Sequence, residues 1–322
     1  MRKLIVLGLL AGLGLAALFT IPAGARPPGV NGQIVFGRFD PTVFATFIYT
    51  VNPDGSHERQ VLPNSLEGPH WSADGSRIVT SGFSDGSSAV LINPDTGSFR
   101  ELFSSDPTLF LACALPSADG QRLACEQFDQ PADPRRNGIY SIRSSDGGGL
   151  IRITSSPAAH DIPGDYSPNG NRLVFGRSDQ NGDPVGLFVV NVNGTGLKQI
   201  TPTGTLFSST GNWSPQGNQI IFSRHLTADM HSSLWVVHSD GSGLHEIQVQ
   251  GVACGGANDD PNGIGCFDPH WSPDGTKILF GISSAGGNDD YTINADGSGL
   301  TQVTHDGDVE FAGDWGTHPL AD

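Results

Sequence analysis

The chain has 322 residues, a fifth of them Gly or Pro, with 17 Lys+Arg against 33 Asp+Glu and four Cys. A formal charge of -16 makes nucleic acid and anionic lipid surfaces poor partners. It favours a cationic protein or a bound metal ion, with the solubility of an exported protein as the plain alternative, and so many turn residues between short apolar runs indicate an all-β protein.

The first element is Arg2 and Lys3, an apolar run from Leu4 to Ile21, and Ala23-Gly24-Ala25. That order reads as a cleaved secretory signal over residues 1–25. A permanent anchor is the alternative, since the run reaches the lower limit for a spanning helix, but its density of Gly and the A-x-A site favour cleavage. The mature chain, residues 26–322, then carries 15 Lys+Arg against 33 Asp+Glu, a charge of -18. It has no membrane span, and its destination is the periplasm or the outside medium.

Gln33-Ile34-Val35-Phe36 comes next, a strand with no partner ahead of it. The motif Trp71-Ser72-Ala73-Asp74-Gly75 then recurs from Pro116, Tyr166, Trp213 and Trp271, and a degraded copy begins at Trp315. The spacings of 45, 50, 47, 58 and 44 residues are those of a propeller or solenoid unit. After each motif lies an apolar strand, such as Arg172-Leu173-Val174-Phe175 or Lys277-Ile278-Leu279-Phe280, of the kind buried on both faces. The Asp-Gly step between reads as a tight hairpin turn, with Gly at positive φ. A third strand ends in a second turn, as in Tyr49 to Gly55 or Tyr291 to Gly297, and a fourth closes the unit, as in Lys198 to Thr201.

Four antiparallel strands make one propeller blade. The N-terminal strand matches the second strand of a unit, and Gly313-Asp314-Trp315-Gly316 supplies the missing first strand. The expectation is a six-bladed β-propeller of four-stranded antiparallel blades, the last blade closed by the N- and C-terminal strands, which protects edges that invite aggregation. Six units fill residues 26–322 as a single domain.

The W-S-P-D-G, [IL]-x-F and [IL]-Y-x-x-N-x-D-G-[ST]-G-L pattern resembles the WD-like repeats of TolB-type β-propellers. That family includes periplasmic binding proteins and propellers that accompany serine peptidases, so the resemblance implies architecture more than activity. It covers the propeller, and no counterpart is expected of the α/β domain that precedes it in TolB, which binds the peptidoglycan-associated lipoprotein.

Short turns gather on one rim and variable connections on the other, the side that usually binds. Acids populate the variable side: Asp85, Asp129, Asp133, Asp179, Asp183 and Asp229 between second and third strands, and Asp161, Asp259, Asp260, Asp268, Asp306, Asp308 and Glu310 between units. They read either as a negatively charged recognition surface or as a solvated rim. The position ahead of each repeat aromatic, His70, Leu115, Asp165, Asn212, His270 and Asp314, falls near the central channel. Two His, two Asp and one Asn are a donor set for a divalent cation such as calcium, as in six-bladed lactonases and hydrolases. The alternative is that they bond to neighbouring strand backbones and channel water.

The remaining signals are weaker. Asp179-Gln180-Asn181-Gly182-Asp183 opens like a calcium loop, but Val190 stands where the bidentate Glu belongs, so an Asx-turn is the simpler reading. Asn258-Asp259-Asp260 and Asn288-Asp289-Asp290 are similar acidic clusters without metal spacing. Gly82-Phe83-Ser84-Asp85-Gly86 matches a nucleophile elbow outside the strand-to-helix turn that such an elbow needs. His225, His231, His238 and His245 divide between opposite rims and share no site. Four Cys in an exported chain indicate two disulfides: Cys113 with Cys125 across a hairpin with a one-residue bulge at Gly, and Cys254 with Cys266 tethering an insertion. Two zinc-ligand pairs compete, disfavoured by the 12-residue spacings.

The expected function is an exported, non-catalytic binding protein whose acidic loop face meets a protein or peptide with a basic surface, without a cofactor. The alternative is a calcium-dependent hydrolase or lactonase with its site in the channel.

Overall fold

The computed structural model describes residues 29–322 apart from 65, 67, 83–86, 128–132, 206–209, 226–231, 256–263, 285–286 and 306–308. Six blades of four antiparallel strands surround one axis. Blade one holds His70–Trp71, Ile78–Ser81, Ala89–Ile92 and Phe99–Leu102; blade two holds Leu111–Pro116, Arg122–Gln127, Gly138–Arg143 and Ile151–Arg152. Blade three is Ala159–Tyr166, Arg172–Asp179, Pro184–Asn191 and Lys198–Gln199; blade four is Asn212–Trp213, Gln219–His225, Ser232–His238 and His245–Glu246. Blade five runs from Gly265–Trp271 through Lys277–Ser284 and Gly287–Asn294 to Thr301–Gln302. Blade six takes its inner strand, Val309–Trp315, from one terminus and Ile34–Asp40, Ala45–Val51 and Arg59–Leu62 from the other. A parallel bridge between Asn288 and Val309 links blades five and six into one eight-stranded sheet.

The expected closure is therefore present: Ile34 pairs with Trp315 and Val35 with Asp314. Trp315 donates its Nε1 hydrogen to the Gly32 carbonyl at 2.9 Å, and Gln33 N donates to His318 O at 2.9 Å. Beyond the strand, the tail packs on blade one and returns to blade six. His318 stacks on Trp71 at 4.9 Å, and Ala321 exchanges two hydrogen bonds with the Asn52 side chain.

The repeat motif builds its turn from its own side chains. Ser72 Oγ donates to Asp74 Oδ1 at 2.7 Å while accepting from Arg77 N at 2.9 Å, and Asp74 Oδ1 accepts from Ser76 N at 3.0 Å. Gly75 follows at φ 70°, where a Cβ would be strained. The closing pair is Ser72 with Arg77, so the turn is wider than the two-residue hairpin the Asp-Gly step suggests. Asp119 and Asp274 repeat the arrangement.

The core consists of six apolar wedges, each between two adjacent blades. Second-strand residues such as Ile78, Phe175, Ile220 and Leu279 are fully buried, as continuous apolar runs require. The repeat aromatics Trp71, Tyr166, Trp213, Trp271 and Trp315 are each buried in one of these wedges.

Cys113 is joined to Cys125 and Cys254 to Cys266, and no described cysteine is free. Cys113 and Cys125 are directly opposed, but the extra residue that sets this register lies in the inner strand between Cys113 and Leu115, not at the turn glycine. The same irregularity recurs between Pro163 and Asp165 and between Phe267 and His270. Each bulge sits just before the channel position, where it turns the inner strand about the axis. No helix among the described residues is long and apolar enough to cross a membrane.

Candidate functional site: the axial channel

Two cavities lie along the axis. The larger, about 530 Å³, opens towards the variable loops; the smaller, about 230 Å³, lies at the turn face, where Pro168, Pro215 and Pro273 of the repeat motif form part of its wall. Between them runs a belt of the six channel-position residues. His70, Leu115, Asn212 and His270 line the larger cavity, while Asp165, Asn212 and Asp314 line the smaller.

Three belt residues each bond their own blade to the next, at three of the six junctions. Asp314 Oδ2 accepts from Trp71 N and Asp165 Oδ2 from Trp213 N, both at 2.9 Å, and Asn212 Oδ1 accepts from Trp271 N at 3.2 Å. Asn212 Nδ2 also donates to Asp165 Oδ2 at 3.2 Å. The two aspartates are charge-assisted acceptors and Asn212 a neutral one, each for an inner-strand backbone amide of the next blade. The belt thereby draws the ring together, and part of its donor capacity is already spent.

The two histidines approach each other across blade six, with ring centroids 5.8 Å apart. His270 Nδ1 stands 3.6 Å from Asp314 Oδ1, an ion-pair distance slightly beyond a hydrogen bond. Burial opposes protonation of His270, but Asp314, with Asp268 and Asp165 behind it, outweighs burial and holds its pKa above the ordinary imidazole value. Among the described residues, no group of three or more His, Cys, Asp or Glu is arranged to hold a metal ion.

Asp268 does not stand where the sequence places it. Read as a rim acid, it belongs instead to the inner strand of blade five, at the bulge, and lines the larger cavity. Its backbone is left-handed, φ 45°, and burial pushes its pKa up to about 6 despite His270 nearby. Phe267 beside it lies flat on Gly281, where any Cβ would strike the ring. The sequence signal was the Asp268-Pro269 step ahead of His270, which breaks strand alternation.

Other acids of the loop side are paired. Asp161, 1% exposed, accepts from Arg177 Nε and Nη2 at 2.6 and 2.8 Å and from Thr154 Oγ1 at 2.8 Å, so it is an internal ion pair rather than part of a rim. Glu126 Oε1 lies 2.7 Å from His160 Nε2 and raises the histidine's pKa. Asp133 binds Arg135, and Asp179 closes its own turn by accepting from Asn181 N and Asp183 N. Asp85, Asp129, Asp229, Asp259, Asp260, Asp306 and Asp308 lie outside the described residues, as do residues 1–25, residues 83–86 of the elbow-like match, Asn258, His231 and the Glu310 side chain. His238 and His245 bond to Ser242 and Gly243 on the turn face, away from His225. On the loop side, Val43, Phe44 and Phe110 are 61%, 85% and 71% exposed, an apolar element that the acidic reading had not included.

The fold is similar to solved propellers. TolB from Acinetobacter baumannii superposes with a TM-score of 0.65 at 17% identity over 88% of this chain, which spans 66% of that protein. A protein from Agrobacterium tumefaciens assigned to TolB gives 0.61 at 18% identity, over 91% of this chain and 94% of that one. An oligogalacturonate lyase in complex with manganese gives 0.55 at 12% identity, over 88% and 76%. At these identities the likeness concerns the fold alone. A search of curated protein sequences gave no match. The TolB beta propeller domain model matches residues 46–261, two thirds of the sequence, and with the repeat motif and the six closed blades this establishes that the chain belongs to the TolB beta propeller family.

Proposed function

We propose that this propeller is an exported binding protein that receives a segment of a protein partner at the loop face, over the mouth of the larger cavity. The observation that carries this reading is the cavity itself. Its volume of about 530 Å³ lies in the range of ligand sites, and its wall combines Gly, Ala, Pro and Ile with eight polar or charged residues. Exposed Phe44 and Phe110 on the surrounding loops supply apolar contact of the kind that anchors protein interfaces. The surplus of acids favours a partner with a basic surface, whose association weakens as salt rises.

The signal-like residues 1–25 and the two disulfides support export, to a periplasm or to the outside medium. Residues 26–322 act as one unit. The hydrolase reading asks the belt for uncommitted donors, whereas Asp165, Asn212 and Asp314 are engaged with backbone amides.

Photocrosslinking in the native host tests the proposal. A crosslinking residue at Val43 or Arg135 on the loop face should capture a protein, and one at Ser145 or Asp296 on the turn face should not. Equal capture from both faces, or none from the loop face, overturns it.

A further inference from the structure

Resting on that docking face, we infer that the channel mouth is a receptor for one cationic side chain, a lysine or arginine of the partner segment, with Asp268 as its counter-charge. Every other described acid around the channel already has a partner. Asp165 accepts from Trp213 N and Asn212, Asp314 from Trp71 N with His270 beside it, Glu126 is paired with His160, and Asp161 with Arg177. Asp268 differs. Asp268 is part of the cavity wall, and among the described residues no hydrogen bond or ion pair falls on its carboxylate; its backbone N–H is directed at Ser223 Oγ, 3.4 Å away.

The fold sustains this arrangement at a cost. A non-glycine residue in the left-handed region is strained, and such strain persists where surrounding structure imposes it and clusters at binding sites. A part-buried carboxylate on a cavity wall without a partner is a second cost, which a bound cation would relieve. The walls above it, Pro69, Ala114, Ile162, Pro163 and Pro269, present apolar surface to the methylene stem of a basic side chain while its charged end reaches Asp268.

The charged and titratable groups around Asp268 are His270 on its own strand, His70, Asp314 and Asp165 across the belt, and the Glu126–His160 pair at the mouth. Acidification protonates Asp268 and adds charge to His270 and His160. Both changes weaken cation binding in the same direction, across a window centred near pH 6.

The test uses the mature protein and calorimetric titration at low salt with acetyl-Gly-Lys-Gly-amide, its arginine counterpart, its norleucine counterpart, and cadaverine. Lysine or arginine peptide should bind at pH 7.5 about tenfold or more tightly than the norleucine peptide, and Asp268→Asn should remove that preference. Asp179→Asn, a control on the exposed hairpin, should retain it. Norleucine peptide binding as well as lysine, a preference that survives Asp268→Asn, no binding by either basic peptide, or binding of cadaverine alone each overturns the inference. Its failure is distinguishable from failure of the docking face: loop-face adducts that persist in Asp268→Asn refute the cationic pocket and leave the face standing. Absence of adducts in the wild-type protein refutes the face itself.

Discussion

The exposed turns and the channel wall use the same residue type in opposite ways. On the turn face, Asp54, Asp240 and Asp296 each accept from the hydroxyl and the amide of a serine two residues on, and these bonds hold their pKa values below the ordinary carboxylate range. Each is a local device, complete within its own turn and turned to water. On the channel wall Asp268 has no such donors, is part-buried, and has its pKa raised by burial to about 6. An acid that makes its own environment serves the fold. One that the fold places against its own preference points to something outside the chain.

The largest expected effect tests the ring that separates the two faces. Deleting residues 309–322 removes the inner strand of blade six, the Trp315 bond to Gly32 and the tail packed on Trp71, and should abolish cooperative unfolding. A melting curve unchanged by the deletion would break the closure. Next, Trp71→Ala empties the wedge between blades six and one and should cost about 3–5 kcal/mol in denaturant titration.

Replacing Cys254 and Cys266 together by Ser should cost about 2–4 kcal/mol under oxidising conditions and nothing once the wild-type protein is reduced.

Asp268→Asn sharpens the comparison because its sign is reversed. A carboxyl whose folded pKa lies above its unfolded value destabilises the fold once ionised, so the penalty is absent below about pH 4, grows as pH rises, and is complete above about pH 6. The variant should match the wild type at pH 4 and exceed it at pH 7.5 by on the order of 2–3 kcal/mol, read as a pH-dependent difference in unfolding midpoint. A gap that closes as pH rises would refute the environment assigned to Asp268. The smallest effect belongs to the turn face: Asp274→Ala removes acceptors for Ser272 and Thr276 and should cost less than about 1 kcal/mol. A turn-face aspartate more costly to lose than Trp71 would erase the distinction between the turns and the channel wall.

Blade number, strand order, closure and the disulfide partners were legible because each rests on local, repeated chemistry. Trp-Ser-Pro-Asp-Gly fixes a turn, the run after it fixes a strand buried on both faces, and the spacing fixes the unit. The channel was legible as a set of positions but not as a set of roles. Asp165, Asn212 and Asp314 look alike in sequence to free ligands, and their engagement with the next blade's amides depends on how far one inner strand stands from its neighbour. Asp161 and Asp268, both placed on a rim from sequence, belong to inner strands that run further towards the loop side than the repeat motif marks, and Asp268 sits where a bulge breaks the alternation.

By itself, the sequence determined a six-bladed wheel of four-stranded sheets zipped through its termini, since hydrophobic runs and turn motifs act over a few residues and leave one way to bury their faces. Tertiary structure alone decided which acids are neutralised and which one is left facing a cavity, because charge and burial depend on neighbours that are distant along the chain and adjacent only around the axis.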